Sequence, residues 1–369
     1  MLVLLLAFQA VAAPTQRPTG SDTTFPKLVE RLSEPGGYFD TDNLISNETS
    51  YLHILGRLKR DGVTGGAYIG VGPDQSFSYI AATRPAIAFV IDIRRDNMLI
   101  HLLFKSLFGQ ASNRLEYLCL LFGRPMPADR EAWTGKPLED LLKYVERPAI
   151  DSAALLRRED ELLARIRSFG VPLSAGDQAT IRRLHAEFAG SGLSLRFTTY
   201  GRGARPYYPT VRQLFLEKDL SGKHGSFLAR EDDFQFVRDL QRRNRVIPVV
   251  GDLAGPKALS AIGKYVAELG EHVSLLYTSN VEYYLFQQGS FERFAANVRS
   301  LPRGPESVMA RSYFGSAMGQ PHPQAVAGYM SVQLLQTFTS FLRHAADPAA
   351  LTYWELVSQD ALDLTPAGR

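Results

Sequence analysis

Residues 65–97 of this chain read GGAYIGVGPDQSFSYIAATRPAIAFVIDIRRDN. In this stretch an apolar run leads into the turn Gly-Val-Gly-Pro at 70–73, a helical pattern covers 74–83, and a second apolar run ends at Asp92. The order predicts a strand, a glycine turn, a helix and a strand, closed by a carboxylate about 20 residues after the glycines. Such an order is typical of a nucleotide-type cofactor site in a doubly wound α/β fold.

The composition indicates a globular protein. The chain has 369 residues, of which 45% are hydrophobic and 21% are charged, which is enough for a sizeable core and excludes global disorder. A net charge of +3 gives no indication of a nucleic-acid partner. The single cysteine, Cys119, excludes an internal disulfide and a cysteine-based metal cluster. The seven histidines have no metal-ligand spacing, so no metal site is expected.

Residues 1–24 have the pattern of a leader and a linker. An apolar run at 2–8 is followed by Ala10-Val11-Ala12, a small-x-small cleavage pattern, and then by a polar stretch. This resembles a secretory signal peptide, although no Lys or Arg precedes the apolar run. A functional leader predicts an exported protein, periplasmic or extracellular, and otherwise the protein is expected in the cytoplasm. No other segment is long and apolar enough to span a bilayer.

The rest of the chain, 25–369, is expected to form one α/β domain. Leucines recur at helical spacing in 25–62, which predicts a helical N-terminal extension. Further apolar runs at 246–250 and 273–277 are bounded by glycine or polar residues and predict buried strands. Strands that alternate with helices favour a mostly parallel, Rossmann-like, doubly wound sheet.

The predicted strand that ends at Asp92 and the one at 246–250 are far apart in the chain. Between them, residues from about 123 to 230 are predicted to form a large helical insertion. Within it, the alternation at 193–200 predicts a strand. Near the end of the chain, an apolar face over 325–344 predicts a helix.

The candidate site residues lie where predicted strands end, because ligands bind outside the carboxyl ends of the strands in such folds. The expected cofactor-binding residues are Gly70, Gly72, Pro73, Asp74, Gln75, Asp92, Arg94, Gly251, Asp252, Ser279 and Asn280. The expected substrate-binding residues are Asn47, Glu48 and Tyr51 of the N-terminal extension, together with Glu282 and Tyr283. No catalytic residue is assigned.

The chemistry of the glycine turn disfavours a dinucleotide. A helix N-terminus attracts phosphates, but Asp74 lies in this first turn, and Gln75 follows where the third glycine of the dinucleotide fingerprint is missing. S-adenosylmethionine carries a sulfonium and an ammonium instead of phosphates and tolerates an acidic first turn. In that case Asp92 would accept hydrogen bonds from the ribose hydroxyls, and Asp252 would accept one from the adenine amino group.

Three segments, YIGVGPDQSFSYIAATRPAIAFVIDIRRDN, VIPVVGDLAGPKAL and LLYTSNVEYYL, resemble an uncharacterised bacterial family. The fold of that family is similar to class I S-adenosylmethionine-dependent methyltransferases. The resemblance extends from about Phe25 to Tyr353. It implies a methyltransferase-type sheet in which Gly70 and Gly72 match the first motif, Asp92 the second and Asp252 the third. Ser279 and Asn280 would then match the motif after the fourth strand.

Three functions remain open at this point. The first is a methyltransferase-like protein that binds S-adenosylmethionine or a related nucleoside, with an unknown acceptor. The second is a non-catalytic exported protein that retains the fold without the cofactor. The third is an NAD-dependent oxidoreductase, which Asp74 disfavours.

Overall fold

A computed structural model describes residues 24–41, 44–199, 205, 207–315 and 320–366. The leader-like pattern at 1–23 lies outside the described residues. Among the residues that the structure describes, no helix combines the length and the apolar character that a membrane span requires.

A six-stranded sheet forms the centre of an α/β fold. Its strands are β1 (Ala67–Gly70), β2 (Ile87–Asp92), β3 (Val246–Val250), β4 (Val273–Tyr277), β5 (Arg303–Tyr313) and β6 (Val332–Thr337). Their spatial order is β3-β2-β1-β4-β5-β6, in which all neighbours are parallel except the antiparallel pair β5 and β6. The four strands β1 to β4 are buried along their whole length, as is typical of a parallel sheet covered on both faces.

Helices cover both faces of the sheet and fill the connections. They are α1 (Phe25–Leu32), α2 (Leu55–Arg60), α3 (Gln75–Thr83), α4 (Arg95–Gln110), α5 (Arg114–Leu121), α6 (Leu138–Val145), α7 (Ser152–Ser168), α8 (Ala175–Ser191), α9 (Val211–Phe215), α10 (Glu231–Arg242), α11 (Ala258–Glu268), α12 (Val281–Gln287), α13 (Phe291–Arg299), α14 (Phe338–His344) and α15 (Tyr353–Ser358). The mixed α/β class and the mostly parallel sheet agree with the sequence prediction. The connection between β2 and β3 contains α4 to α10.

Two predicted elements are wrong. The strand expected at 193–200 is a 3₁₀ turn at Gly192–Ser194 followed by a single bridge between Arg196 and Thr210. The helix expected at 325–344 is instead strand β6 followed by α14, whose first turn is capped by the Thr337 side chain. Pairing with β5 holds β6 in an extended conformation, and this tertiary interaction leaves no trace in the local apolar spacing.

Gly251 allows β3 and α11 to approach closely. A Cβ atom at Gly251 would lie 2.2 Å from the Cβ atom of Ala258 in the first turn of α11. We therefore expect Gly251→Ala to lower the free energy of unfolding by about 1–3 kcal/mol through overpacking. Gly190→Ala in α8 is the matched control, because a Cβ there meets open space, and it should raise stability by about 0.5–1 kcal/mol. Urea unfolding measures both changes, and equal effects of the two substitutions would contradict the packing role.

Candidate functional site

A cavity of about 190 Å³ opens at the carboxyl ends of the parallel strands. It lies beside β1 and β4, which are neighbours in the sheet although β2 and β3 come between them in the chain. This is where the strand order reverses, the usual position of a ligand in an open α/β sheet. The predicted residues that line the cavity are Asn47, Glu48, Gly72, Pro73, Gln75, Asp92, Arg94, Gly251, Asp252, Ser279 and Asn280.

The turn after β1 is held in place by a histidine that the sequence analysis did not select. Gly72 has a φ of 84°, a left-handed conformation that favours glycine. His101 Nε2 lies 2.9 Å from the Gly72 carbonyl oxygen, and because that oxygen can only accept, Nε2 donates the hydrogen bond. His101 is buried, which lowers its pKa to about 4 and keeps the ring neutral at pH 7.

The carboxylate after β2 is already paired within the protein. Asp92 Oδ1 accepts hydrogen bonds from the backbone N–H of Arg94 at 2.8 Å and from its Nε at 3.1 Å, while Oδ2 accepts one from Nη2 at 2.9 Å. Arg94 Nη1 also donates to the Thr41 carbonyl oxygen at 2.8 Å. A carboxylate has about four accepting positions, so Asp92 retains about one for a ligand. Arg94 therefore orients Asp92 and fastens residue 41 to the sheet edge.

A segment that we call the strap, residues 33–41, crosses the ends of β2 and β3. The backbone N–H of Glu34 donates to the Val250 carbonyl oxygen at 2.9 Å, and that of Gly37 donates to Ile93 at 2.7 Å. The Glu34 carboxylate accepts hydrogen bonds from the backbone N–H groups of Asp252 at 2.9 Å, Lys257 at 3.0 Å and Ala258 at 3.1 Å. The Glu34 carboxylate of the strap thus occupies the N-terminus of α11, where the helix dipole favours a negative charge.

Glu48 forms a hydroxyl network at the ends of β4 and β5. It is 1% exposed, and its Oε2 accepts a hydrogen bond from the Tyr277 hydroxyl at 2.5 Å. The hydroxyl groups of Ser279 and Ser312 also donate to this carboxyl group. Burial raises the pKa of Glu48, and the three hydroxyl donors act in the opposite direction. Ser279 has a φ of 53°, a conformation that costs a non-glycine residue energy and that recurs at functional sites.

Two aromatic pairs also line the cavity. Phe39 of the strap packs edge-to-face on Tyr284 with ring centroids 5.0 Å apart, and Phe197 packs in the same way on Tyr208 at 4.9 Å. Tyr284 follows the predicted strand end at 277, where the sequence indicates that a tyrosine can stack on a ligand or pack in the core, whereas Phe39, Phe197 and Tyr208 were not predicted as site residues. Phe197 and Tyr208 belong to the connection between β2 and β3, and nothing in their local sequence indicates contact with the sheet edge.

Three of the expected substrate-binding residues, Tyr51, Glu282 and Tyr283, do not line the cavity. Tyr51 is buried and donates to the Leu214 carbonyl oxygen at 2.9 Å, and Tyr283 packs on the rings of its neighbours Tyr284 and Tyr353. Glu282 forms a buried ion pair with Arg311.

Two residues of the glycine turn also lie outside the cavity wall. Gly70 faces Tyr68, where a Cβ atom would lie 2.0 Å from the phenol oxygen, so this glycine serves packing. Asp74 is buried, and burial raises its pKa to about 7.

The cavity wall is acidic. Four residues, Asp40, Glu48, Asp92 and Asp252, contribute carboxyl groups, whereas Arg94 is the only cationic side chain among the described lining residues. Arg94 is paired with Asp92, and no other cationic side chain among the described lining residues is present to bind a phosphate. The arrangement suits a neutral or positively charged ligand better than a polyanion.

The chain was compared with known proteins. No curated protein matches it. A family model described as a domain of unknown function, DUF7790, matches residues 44–129 and 175–364. The matched segments include all six strands and most of the residues around the cavity, and they leave out α6 and α7 of the connection between β2 and β3. Since the match covers well over half of the chain, the protein belongs to this family of unknown function.

Proposed function

We propose that this protein binds S-adenosylmethionine or a related nucleoside in the cavity, on a sheet of methyltransferase type. The observation that carries the proposal is the acidic wall, in which Glu48, Asp92 and Asp252 face a cavity where Arg94 is already paired. S-adenosylmethionine bears a sulfonium and an ammonium group and supplies a methyl group on its sulfonium. Its positive charge matches this wall, whereas a pyrophosphate would meet carboxylates.

The position of the cavity supports a nucleoside ligand. It lies at the point where the strand order reverses, between the turn after β1 and the end of β4. The carboxyl groups at the ends of β2 and β3 flank it, and each retains accepting capacity: Asp92 about one position, and Asp252 an Oδ1 that accepts a single backbone bond from Ala254. Hydroxyl groups of a ribose and an exocyclic amine are the donors that such positions accept.

The N-termini of α3 and α11 both lie near the cavity, and neither favours binding of a dinucleotide. A pyrophosphate binds where the first backbone N–H groups of a helix are open to it. Here Asp74 lies at the start of α3, and Glu34 already accepts hydrogen bonds at the start of α11. Both positions thus carry a protein carboxyl group. This supports S-adenosylmethionine over NAD.

The aromatic pairs fit the same ligand. Phe39, Tyr284, Phe197 and Tyr208 offer ring faces and edges beside the acidic wall. Aromatic rings attract cationic groups, and they also stack on flat heterocycles such as adenine. Binding and orienting the ligand in a shaped cavity is the part of the reaction that these residues can perform.

Calorimetric titration tests the proposal. The purified protein is expected to bind S-adenosylmethionine and S-adenosylhomocysteine and not NAD. Asp92→Asn should weaken both nucleoside affinities by about tenfold, because a hydrogen bond to a charged acceptor is replaced by a neutral one. Asp96→Asn is the matched control, since Asp96 lies on the first turn of α4 with 40% of its side chain exposed and forms its ion pair with Arg183 at 3.3 Å.

The outcomes separate the alternatives. Nucleoside binding that is unchanged in Asp92→Asn, with both variants folded by circular dichroism, would mean that the ligand lies elsewhere. Preferential binding of NAD would favour the oxidoreductase. No binding to any of the three compounds would favour the non-catalytic protein that retains the fold without a cofactor.

A further inference from the structure

Glu48 is a buried carboxyl group without a cationic partner among the described residues. It is 1% exposed, and its described partners are the neutral hydroxyls of Tyr277, Ser279 and Ser312. Among the described residues, no Lys, Arg or His forms an ion pair with it. Hydroxyl donors stabilise a carboxylate without neutralising it, so a buried charge of this kind is costly unless the group takes up a proton, which its raised pKa favours, or a cation compensates it.

Two features coincide at Glu48: it is a buried carboxyl group without a described cationic partner, and it lines the cavity, whereas Asp74, also buried without a described cation, lies outside the cavity wall. Glu282 is equally buried and is paired with Arg311, and Asp92 is paired with Arg94. Glu48 differs from Glu282 in that it lines the cavity. Its network also includes Ser279, the residue that ends β4 in a left-handed conformation. An unpaired acidic group is thus held rigidly at the wall of the proposed ligand site.

We propose that Glu48 binds the positively charged centre of the ligand, a sulfonium or an ammonium group, at the β4 end of the cavity. The inference rests on the proposed function. It adds that Glu48 is the residue that makes the site prefer a positively charged ligand. Three hydroxyl groups fix the carboxyl oxygens, and the bound cation supplies the positive charge that the described part of the chain does not place there. Asp92 and Asp252, at the ends of β2 and β3, then remain for the nucleoside.

Three ligands that differ in charge test this assignment by calorimetry with the full chain. S-adenosylmethionine carries a sulfonium together with the ammonium and carboxylate of an amino acid, S-adenosylhomocysteine carries only that ammonium and carboxylate, and 5′-methylthioadenosine carries none of the three. Glu48→Gln removes the charge and retains the size of the side chain. We expect it to weaken the binding of S-adenosylmethionine by about tenfold or more relative to 5′-methylthioadenosine, as is typical when one member of a buried charge pair is neutralised.

The pattern across the ligands identifies the cation. If only S-adenosylmethionine loses affinity, Glu48 faces the sulfonium, and if S-adenosylhomocysteine loses the same factor, Glu48 faces the ammonium. An equal change for all three ligands, or no change, overturns the inference. If the unaltered protein binds none of them, the proposed function fails as a whole, which is a different result.

Two further variants keep the test interpretable. Glu48→Met also removes the charge, and because it replaces an unpaired buried carboxylate with an apolar side chain, it should fold even if Glu48→Gln does not. Both substitutions should give the same ligand pattern. Glu116→Gln is the matched control, since Glu116 is also 1% exposed but accepts from the Ser112 backbone N–H at 3.0 Å and does not line the cavity. It should leave the ratio of the three affinities unchanged.

Discussion

Arg311→Met is expected to lower the free energy of unfolding by about 3–5 kcal/mol, because it leaves a buried carboxylate without its cation. Arg311 and Glu282 have side chains that are 2% and 1% exposed, and the guanidinium Nε lies 2.6 Å from Oε2 of the carboxylate. Arg311 Nη1 also donates to Gln336 on β6 at 2.7 Å. The pair therefore joins β5 and β6 to α12, and urea unfolding followed by circular dichroism measures its loss.

Two variants isolate the cause of this loss. Arg343→Met breaks an exposed pair with Asp360, whose side chains are 66% and 45% exposed, and should lower the free energy of unfolding far less than Arg311→Met does. The double variant Glu282→Leu with Arg311→Met removes both charges and should recover much of the stability. A double variant no more stable than Arg311→Met alone would show that packing, and not the unpaired charge, causes the loss.

Asp74→Asn is expected to stabilise the protein by about 2–4 kcal/mol at pH 8 and to change little at pH 4. Burial raises the pKa of Asp74 from its ordinary 3.8 to about 7 in the folded state. A folded-state pKa above the unfolded one contributes stability that is complete below pH 4 and is lost as the pH rises through 7. The asparagine variant has no proton to lose, so its advantage over the unaltered protein grows across this window.

Urea unfolding at pH 4, 6 and 8 checks this prediction. Asp96→Asn provides the control, because the exposed Asp96 carboxylate pairs only at the surface, with 40% of its side chain exposed. Glu48 and Glu282 also have pKa values raised by burial, so the difference between each variant and the unaltered protein isolates Asp74. An advantage of Asp74→Asn that is the same at all three pH values would contradict the burial of an ionisable carboxyl group.

Local sequence predicted the parallel part of the sheet well. The bounds of β3 and β4 are those expected, 246–250 and 273–277, because each is a short apolar run between a loop and a polar strand end. Strand β5 was missed because it begins with the exposed segment Arg-Gly-Pro-Glu, which has no alternation. The pairing of β5 with β6 is a tertiary interaction, and apolar spacing alone could not distinguish β6 from a helix.

The site residues that directly follow a parallel strand could be predicted from the sequence. The parallel sheet brings Gly72, Asp92, Asp252 and Ser279 to one edge, as the strand-end rule requires. The hydroxyl network around Glu48 could not be predicted from the sequence, because it depends on side chains 229 to 264 residues away in the chain.

Two other features of the site depend on side-chain conformation. Arg94 and Arg95 lie just after strand β2, and Arg94 pairs with Asp92 whereas Arg95 pairs with Asp177. No residue pattern along the chain indicates which acidic partner a given arginine will choose.

The long connection between β2 and β3 has a consequence for synthesis of the chain. Ribosomes add about 5–20 residues per second, so the roughly 150 residues between these strands delay β3 by about 8–30 s. During that interval the apolar segment Ile87–Asp92 has one edge without its final partner and can pair with another chain. Helix α4 emerges directly after β2 and packs on it, so early folding of α4 would shield the nascent strand from aggregation until β3 arrives.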